Sequence, residues 1–185
     1  MSAAFVTIRA AARRRFQDLR DALMTIPDWR TWRTCGLVYG LFLIGAFPVG
    51  LLSGLVRADP ASLTWNELVG SGLLLFVHPA LAEEIVFRGL LLPRDRRSWP
   101  RGRLLLVAGA ALAAYVAAHP INALLFRPQA VGLFESTPYL ALTTLLGLTC
   151  TATYLISRSI WPSVAIHWLT VVTWIWLLGG KALLR

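Results

Sequence analysis

The chain has 185 residues, of which 57% are hydrophobic, and its mean hydropathy is +0.63. Soluble domains contain about 45–50% apolar residues, and the excess here lies in long blocks, so the composition excludes an ordinary soluble protein. The net charge of +9 comes from arginines that flank these blocks, a pattern of membrane topology rather than of nucleic-acid binding. The two cysteines, Cys35 and Cys150, indicate neither a disulfide framework nor a metal-ligand spacing.

The first 33 residues form a basic amphipathic segment. Apolar side chains recur there at steps of three or four residues, which predicts one helical stripe with the arginines largely off it. Such a helix lies in the headgroup plane of a bilayer and faces anionic lipid; a disordered segment or a cytosolic helix is the alternative. Pro27 is expected to end the helix. The stripe comprises Phe5, Ile8, Ala12, Phe16, Leu19 and Leu23.

The rest of the chain, residues 34–185, predicts one transmembrane domain. At about 20 apolar residues per crossing, it has room for about five spans, so the expected fold is an all-α polytopic transmembrane bundle. Pro79 is expected to kink the second span. The third span is short and is expected to end at His119-Pro120, ahead of a longer loop over 121–138. The predicted spans cover residues 35–56, 66–92, 104–118, 139–156 and 160–178.

The basic residues predict an orientation for these spans. Thirteen arginines lie before span 1, between spans 2 and 3 or between spans 4 and 5, whereas four basic residues lie on the opposite side. The positive-inside rule therefore places the N-terminus in the cytoplasm. We expect a multi-pass protein of the plasma (inner) membrane.

Span 2 carries an unusual group of charges. Glu83, Glu84 and Arg88 lie inside an otherwise apolar run, where each charge costs about 2.5–3.5 kcal/mol. Glu84 and Arg88 are four residues apart, so they share a helix face and are expected to pair. Glu83 is rotated by about 100°, which leaves it free to face another partner.

Two histidines, His119 at the end of span 3 and His167 in span 5, are further ionisable residues, and both can converge on Glu83 if spans 2, 3 and 5 are neighbours. A carboxylate and an imidazole together can activate a water molecule, and a second imidazole can donate to a developing oxyanion. His78 is a weaker candidate. The alternative is a buried polar network that only specifies helix packing. No metal is predicted, because neither His-x-x-x-His nor His-Glu-x-x-His occurs.

The order and spacing of these residues resemble the three motifs of the CPBP family, also called Abi, which includes the type II CAAX prenyl endopeptidases. The matching elements, over roughly residues 66–175, are Glu83-Glu84-x-x-x-Arg88, Tyr115-x-x-x-His119 and His167. The resemblance implies a glutamic-type intramembrane protease. Glu83 would activate the water with His119 as partner base, and His167 would help to stabilise the oxyanion. Glu84 and Arg88 would hold the site together.

Two residues depart from the family pattern. Tyr115 stands where the second motif usually has Phe, and Val171 stands where the third usually has Asn. If an amide is needed at the oxyanion, Asn122 is the first candidate to supply it and the Thr170 hydroxyl is the second. Without a substitute, the protein would be catalytically weak or a pseudo-enzyme.

The leading hypothesis is an intramembrane endopeptidase that opens to the cytoplasmic leaflet and cleaves a membrane-bound protein or peptide. The resemblance implies no cofactor, and the expected partners are this substrate and the lipid bilayer, with no nucleic acid. One alternative is a non-enzymatic membrane partner of the bacteriocin-immunity or scaffold type. Another is an ion or proton pathway. Such a pathway would need a continuous polar face, and spans 1 and 4 offer only glycines and threonines.

Overall fold

The computed structural model describes the backbone of residues 3–184 and the side chains of residue 9 and of residues 13–184. This part of the chain is helical throughout, with short connections. The helices are α1 (Ala3–Met24), α2 (Trp29–Leu52), α3 (Trp65–Leu90), α4 (Arg101–Phe126), α5 (Val131–Phe134), α6 (Thr137–Ser157), α7 (Trp161–Leu177) and α8 (Gly180–Leu183).

Five of these helices coincide with the five predicted spans. By length and composition, α2, α3, α4 and α6 are each able to cross a membrane, and α7 is a shorter apolar helix of 17 residues. At 1.5 Å per residue, α7 is about 26 Å long, slightly less than the hydrocarbon core of a bilayer. The prediction of an all-α polytopic membrane bundle is confirmed.

The third span is longer than predicted. Helix α4 continues through His119 and Pro120 to Phe126, and much of the predicted loop over 121–138 is helical. Pro120 removes one backbone hydrogen bond, but an apolar run follows it, so the helix resumes. With 26 residues, α4 is about 39 Å long, and its first turns can therefore lie outside the hydrocarbon.

Helix α3 is broken where Pro79 predicts a kink. His78 has φ −140° and ψ 116°, an extended conformation that the following proline favours. Wide, π-helical turns over Phe76–Leu81 and Ile85–Leu90 flank the short regular segment Ala82–Glu84. The two acids therefore lie just after a break in the helix.

The arginine-rich end of the bundle is held together by contacts between distant segments. Arg94 Nε donates to the Arg158 carbonyl oxygen at 3.1 Å, and its Nη2 donates to Thr25 Oγ1 at 2.9 Å. Ser159 Oγ donates to the Thr25 carbonyl oxygen at 2.6 Å. The segment after α1, the α3–α4 loop and the α6–α7 turn therefore meet at this end.

The opposite end of the bundle joins the α2–α3 loop to the end of α7. Trp174 Nε1 donates to the Leu55 carbonyl oxygen at 2.7 Å, and the Arg57 amide donates to the Leu178 carbonyl oxygen at 3.2 Å. The two ends of the bundle differ chemically, because thirteen arginines of the sequence belong to one end and four basic residues to the other.

Helix α1 agrees with its predicted helical pattern, but its second half packs on the bundle as well as presenting a surface. Leu19 lies against Gly89, Ala22 is fully buried, and Trp161 Nε1 donates to the Leu23 carbonyl oxygen at 2.8 Å. Phe16, by contrast, is 66% exposed. The side chains of the predicted stripe at Phe5, Ile8 and Ala12 lie outside the described residues. A separate interfacial segment over 1–33 therefore stays a prediction.

Gly147 lets α6 approach α4 closely. A Cβ at this position would lie 2.6 Å from Leu112 Cδ1 and 2.9 Å from Tyr115 Cδ1. In addition, the Gly147 carbonyl oxygen accepts a hydrogen bond from Arg88 Nη2 at 2.9 Å. This glycine thus fixes the distance between the two helices beside the buried charges.

We expect Gly147→Ala to destabilise the protein by about 1–3 kcal/mol, because the added methyl group overpacks a tight contact. Gly109→Ala on α4 is the matched control: a Cβ there meets nothing within 4 Å, so this variant should be neutral or more stable by up to about 1 kcal/mol. Thermal unfolding in detergent, followed by tryptophan fluorescence, measures both. Equal midpoints for the two variants would contradict the packing argument.

Candidate active site

A buried ion pair forms the base of the site. Arg88 Nη1 lies 2.9 Å from Glu84 Oε1, and both side chains are almost completely buried. The Arg88 guanidinium also donates to Gly147, and its Cζ lies 4.4 Å from the centre of the Tyr115 ring, over its face. The pair predicted from the sequence is present, and it is tied to α4 and α6.

His167 connects the two acids of α3. Its Nδ1 lies 2.9 Å from Glu84 Oε1, and its Nε2 lies 3.9 Å from Glu83 Oε2. A carboxylate paired with arginine only accepts hydrogen bonds, so Nδ1 carries the proton. The distance from Nε2 to Glu83 is too long for a hydrogen bond.

His119 is oriented by its own helix. Its Nδ1 lies 2.9 Å from the Tyr115 carbonyl oxygen, and because a carbonyl oxygen can only accept, Nδ1 must be the donor. In the neutral imidazole, Nε2 is therefore the basic atom. The ring packs edge-on to the Tyr115 ring, with 4.9 Å between their centroids.

Most of the predicted site residues line one cavity of about 740 Å³. Glu83, His119, His167 and Asn122 all line it, although they come from three different helices. Glu84 and Arg88 lie behind this wall, fully buried. The cavity is otherwise mainly apolar. His78, the weaker candidate, and the alternative donor Thr170 also line it, as does Val171.

The cavity extends away from the arginine-rich end. Its far wall includes Leu55, Arg127 and Leu178, which belong to the opposite end of the bundle. Two residues that line the sides of the cavity, Phe47 of α2 and Leu74 of α3, are 50% and 65% exposed. Their exposure indicates a lateral opening between these helices. In the orientation expected from the arginines, this half of the bundle is the non-cytoplasmic one. The expected opening to the cytoplasmic leaflet therefore does not match the cavity.

Sequence analysis missed an aromatic wall of the cavity. The Tyr139 ring lies 6.0 Å from the His119 ring and 6.1 Å from the Trp174 ring, centroid to centroid, and Phe134 packs beside it. In the sequence, Tyr139 begins the predicted span 139–156, and Trp174 lies within the predicted span 160–178. Aromatic residues are common near the ends of membrane helices, so no sequence signal separated these two from the others.

Three ligand-type side chains meet deep in the bundle. One potential ligand atom from each of Glu84, Cys150 and His167 lies within 4.8 Å of the other two. Glu84 Oε1 already receives Arg88 and His167, however, and the guanidinium beside it opposes a cation. Cys150 Sγ, in turn, lies 3.7 Å from the Ser163 carbonyl oxygen. These contacts fit a hydrogen-bonded ion-pair network better than a metal site.

The fold and the site together define a multi-pass helical membrane protein with an acid–imidazole cluster in an apolar cavity. Over residues 64–173, the chain matches the family model described as type II CAAX prenyl endopeptidase Rce1-like. Since the match covers more than half of the 185 residues, the chain belongs to this family. The comparisons found no curated protein and no solved structure that matches significantly. The match confirms the family indicated by the sequence motifs.

We expect Arg88→Met to cost about 3–5 kcal/mol of stability, because it leaves Glu84 buried without its cation. The double variant Glu84→Gln/Arg88→Met should recover part of this loss. Arg97→Met, at an exposed position of the α3–α4 loop, is the control and should change stability by less than about 0.5 kcal/mol. Unfolding midpoints in detergent test this; a neutral Arg88→Met would show that the pair is not needed for folding.

Proposed function

We propose that this chain is a glutamic-type intramembrane endopeptidase, which hydrolyses a peptide bond of a membrane-associated protein or peptide. The observation that carries the proposal is the convergence of Glu83, His119 and His167 on one cavity. Membership of a family of endopeptidases supports it. The proposed location is the plasma (inner) membrane, with the N-terminus in the cytoplasm, as the distribution of arginines predicts.

In the proposed reaction, a water molecule binds between Glu83 and His119 and attacks the carbonyl carbon of the scissile peptide bond. Glu83 takes the proton from the water as general base, and His119 Nε2 assists it. The C–N bond then breaks as the proton passes to the leaving nitrogen. Glu84 and Arg88 would act only through His167, whose Nδ1 they hold at 2.9 Å from Glu84.

His167 is proposed to help stabilise the oxyanion from its Nε2 side. Because Nδ1 is already engaged with Glu84, His167 can donate from Nε2 only as an imidazolium. The proposed role therefore requires a proton on both ring nitrogens of His167.

Asn122 is proposed as a further donor to the oxyanion, since Val171 has no polar group. It lines the same cavity and lies three residues after His119 on α4. The competing donor, Thr170, is already engaged: its Oγ1 donates to the Ile166 carbonyl oxygen at 2.8 Å. Asn122 therefore remains the better candidate of the two.

A non-enzymatic membrane partner is the second candidate function. The observation that favours it is the complete burial of Glu84, Arg88 and His167, whose mutual contacts would also stabilise a bundle without chemistry. Glu83 and His119 separate the two functions, because a scaffold does not need their proton chemistry.

We expect Glu83→Gln and His119→Ala to lower cleavage by about 10²–10⁴-fold each, since each removes a group that transfers or positions the proton. Glu135→Gln, at an exposed glutamate that does not line the cavity, is the control and should cleave normally. A quenched-fluorescence peptide with a farnesylated CAAX end, reconstituted with the protein in liposomes, gives the rates.

The same Glu83→Gln protein can identify the natural substrate. Affinity purification from membranes, followed by mass spectrometry, should recover uncleaved proteins or peptides that wild-type protein does not retain. If Glu83→Gln and His119→Ala cleave as fast as the Glu135→Gln control, the endopeptidase mechanism is wrong.

We expect Asn122→Ala to reduce kcat by about 10²–10³-fold, the usual effect of losing one oxyanion donor, with little change in KM. Thr170→Val, which removes the competing hydroxyl but keeps the side-chain shape, should have a smaller effect. The same liposome assay compares both variants. A larger loss in Thr170→Val would reverse the assignment.

A further inference from the structure

Two buried polar atoms near the site have complementary chemistry and no partner. The Tyr115 hydroxyl and Glu83 Oε2 are both inaccessible, and neither has a hydrogen-bond partner among the described residues. A phenol can donate a hydrogen bond, and an ionised carboxylate can only accept one. Each group costs free energy if it stays unpaired.

The two groups share their surroundings. Glu83 Oε2 lies 3.9 Å from His167 Nε2, and the Tyr115 ring lies 6.1 Å from the His167 ring, centroid to centroid. Both residues line the same cavity.

The Tyr115 ring is fixed in place. Arg88 covers one face at 4.4 Å, Phe87 packs edge-on with 5.3 Å between centroids, and Gly147 lies close beside it. The Glu83 side chain retains 15% of its exposure, and the last torsion of a glutamate rotates easily. We therefore expect the Glu83 carboxylate, rather than the Tyr115 ring, to move when the hydrogen bond between them forms.

We propose that Tyr115 is a positioning residue, which donates a hydrogen bond to Glu83 and holds its carboxylate towards His119 and His167. The inference rests on the proposed role of Glu83 as the base and adds a residue to that site. Glu84 Oε2 is a second buried acceptor without a partner among the described residues, and it is the competing target. The bond to Glu83 is favoured because Glu83 and Tyr115 both line the cavity, whereas Glu84 is fully buried and already engaged by Arg88 and His167.

Tyr115→Phe removes only the hydroxyl and keeps the ring that Arg88 and Phe87 contact. Tyr154→Phe is the matched control, since the Tyr154 hydroxyl is also buried with no partner in the described part of the chain. Tyr154 packs instead with Ala22 and Leu92 towards the arginine-rich end. A hydroxyl that only fills space should behave alike in both positions.

The first measurement is independent of cleavage. Thermal midpoints of wild type, Tyr115→Phe, Glu83→Ala and the double variant form a cycle that isolates the interaction between the two residues. We expect a coupling of roughly 3–12 °C, which corresponds to a hydrogen bond to a charged group in a chain of this size. The same cycle with Tyr154→Phe should show no coupling.

The second measurement is the rate on the farnesylated peptide. Tyr115→Phe should lower kcat by about 10–100-fold with KM unchanged, while Tyr154→Phe should match wild type. No thermal coupling between Tyr115 and Glu83, or an unchanged kcat in an active enzyme, would overturn the inference. Coupling in a protein that cleaves nothing would instead support the bond and contradict the proposed function.

Discussion

The contact of Glu84 with Arg88 is the interaction on which the rest of the site depends. Two opposite charges buried in a membrane bundle are tolerable only when each satisfies the other. Here the pair also recruits neighbours, because Arg88 reaches the α6 backbone at Gly147 and Glu84 fixes the α7 imidazole of His167. One ion pair thus orients three helices around the position where Glu83 meets the cavity.

The two adjacent acids lie just after the break in α3 and have different environments. His78 leaves the helical conformation before Pro79, and wide turns flank Ala82–Glu84. Glu84 consequently points into the packed interior and is fully buried, whereas Glu83 borders the cavity. Neighbouring carboxylates with different environments can serve different purposes, one structural and one reactive.

Local patterns predicted much of this arrangement. The apolar blocks predicted the positions of five helices, and the i, i+4 spacing of Glu84 and Arg88 predicted the ion pair between them. The length of α4 was wrong because Pro120 resembles a stop signal, although apolar packing carries the helix beyond it. The direction of the cavity and its aromatic wall at Tyr139 could not be predicted, since both depend on how separate helices tilt and pack. The contact between α1 and Gly89 likewise joins segments that are far apart in sequence.

The contacts of α1 with distant segments bear on the order in which the bundle assembles. The end of α1 is synthesised before the other helices described here, and its contacts with Ser159 and Trp161 span more than 130 residues of sequence. The arginine-rich end can therefore close only after nearly all spans have been inserted. Contacts of such long sequence separation are slow to form, so docking of α1 onto the bundle would be a late step of assembly.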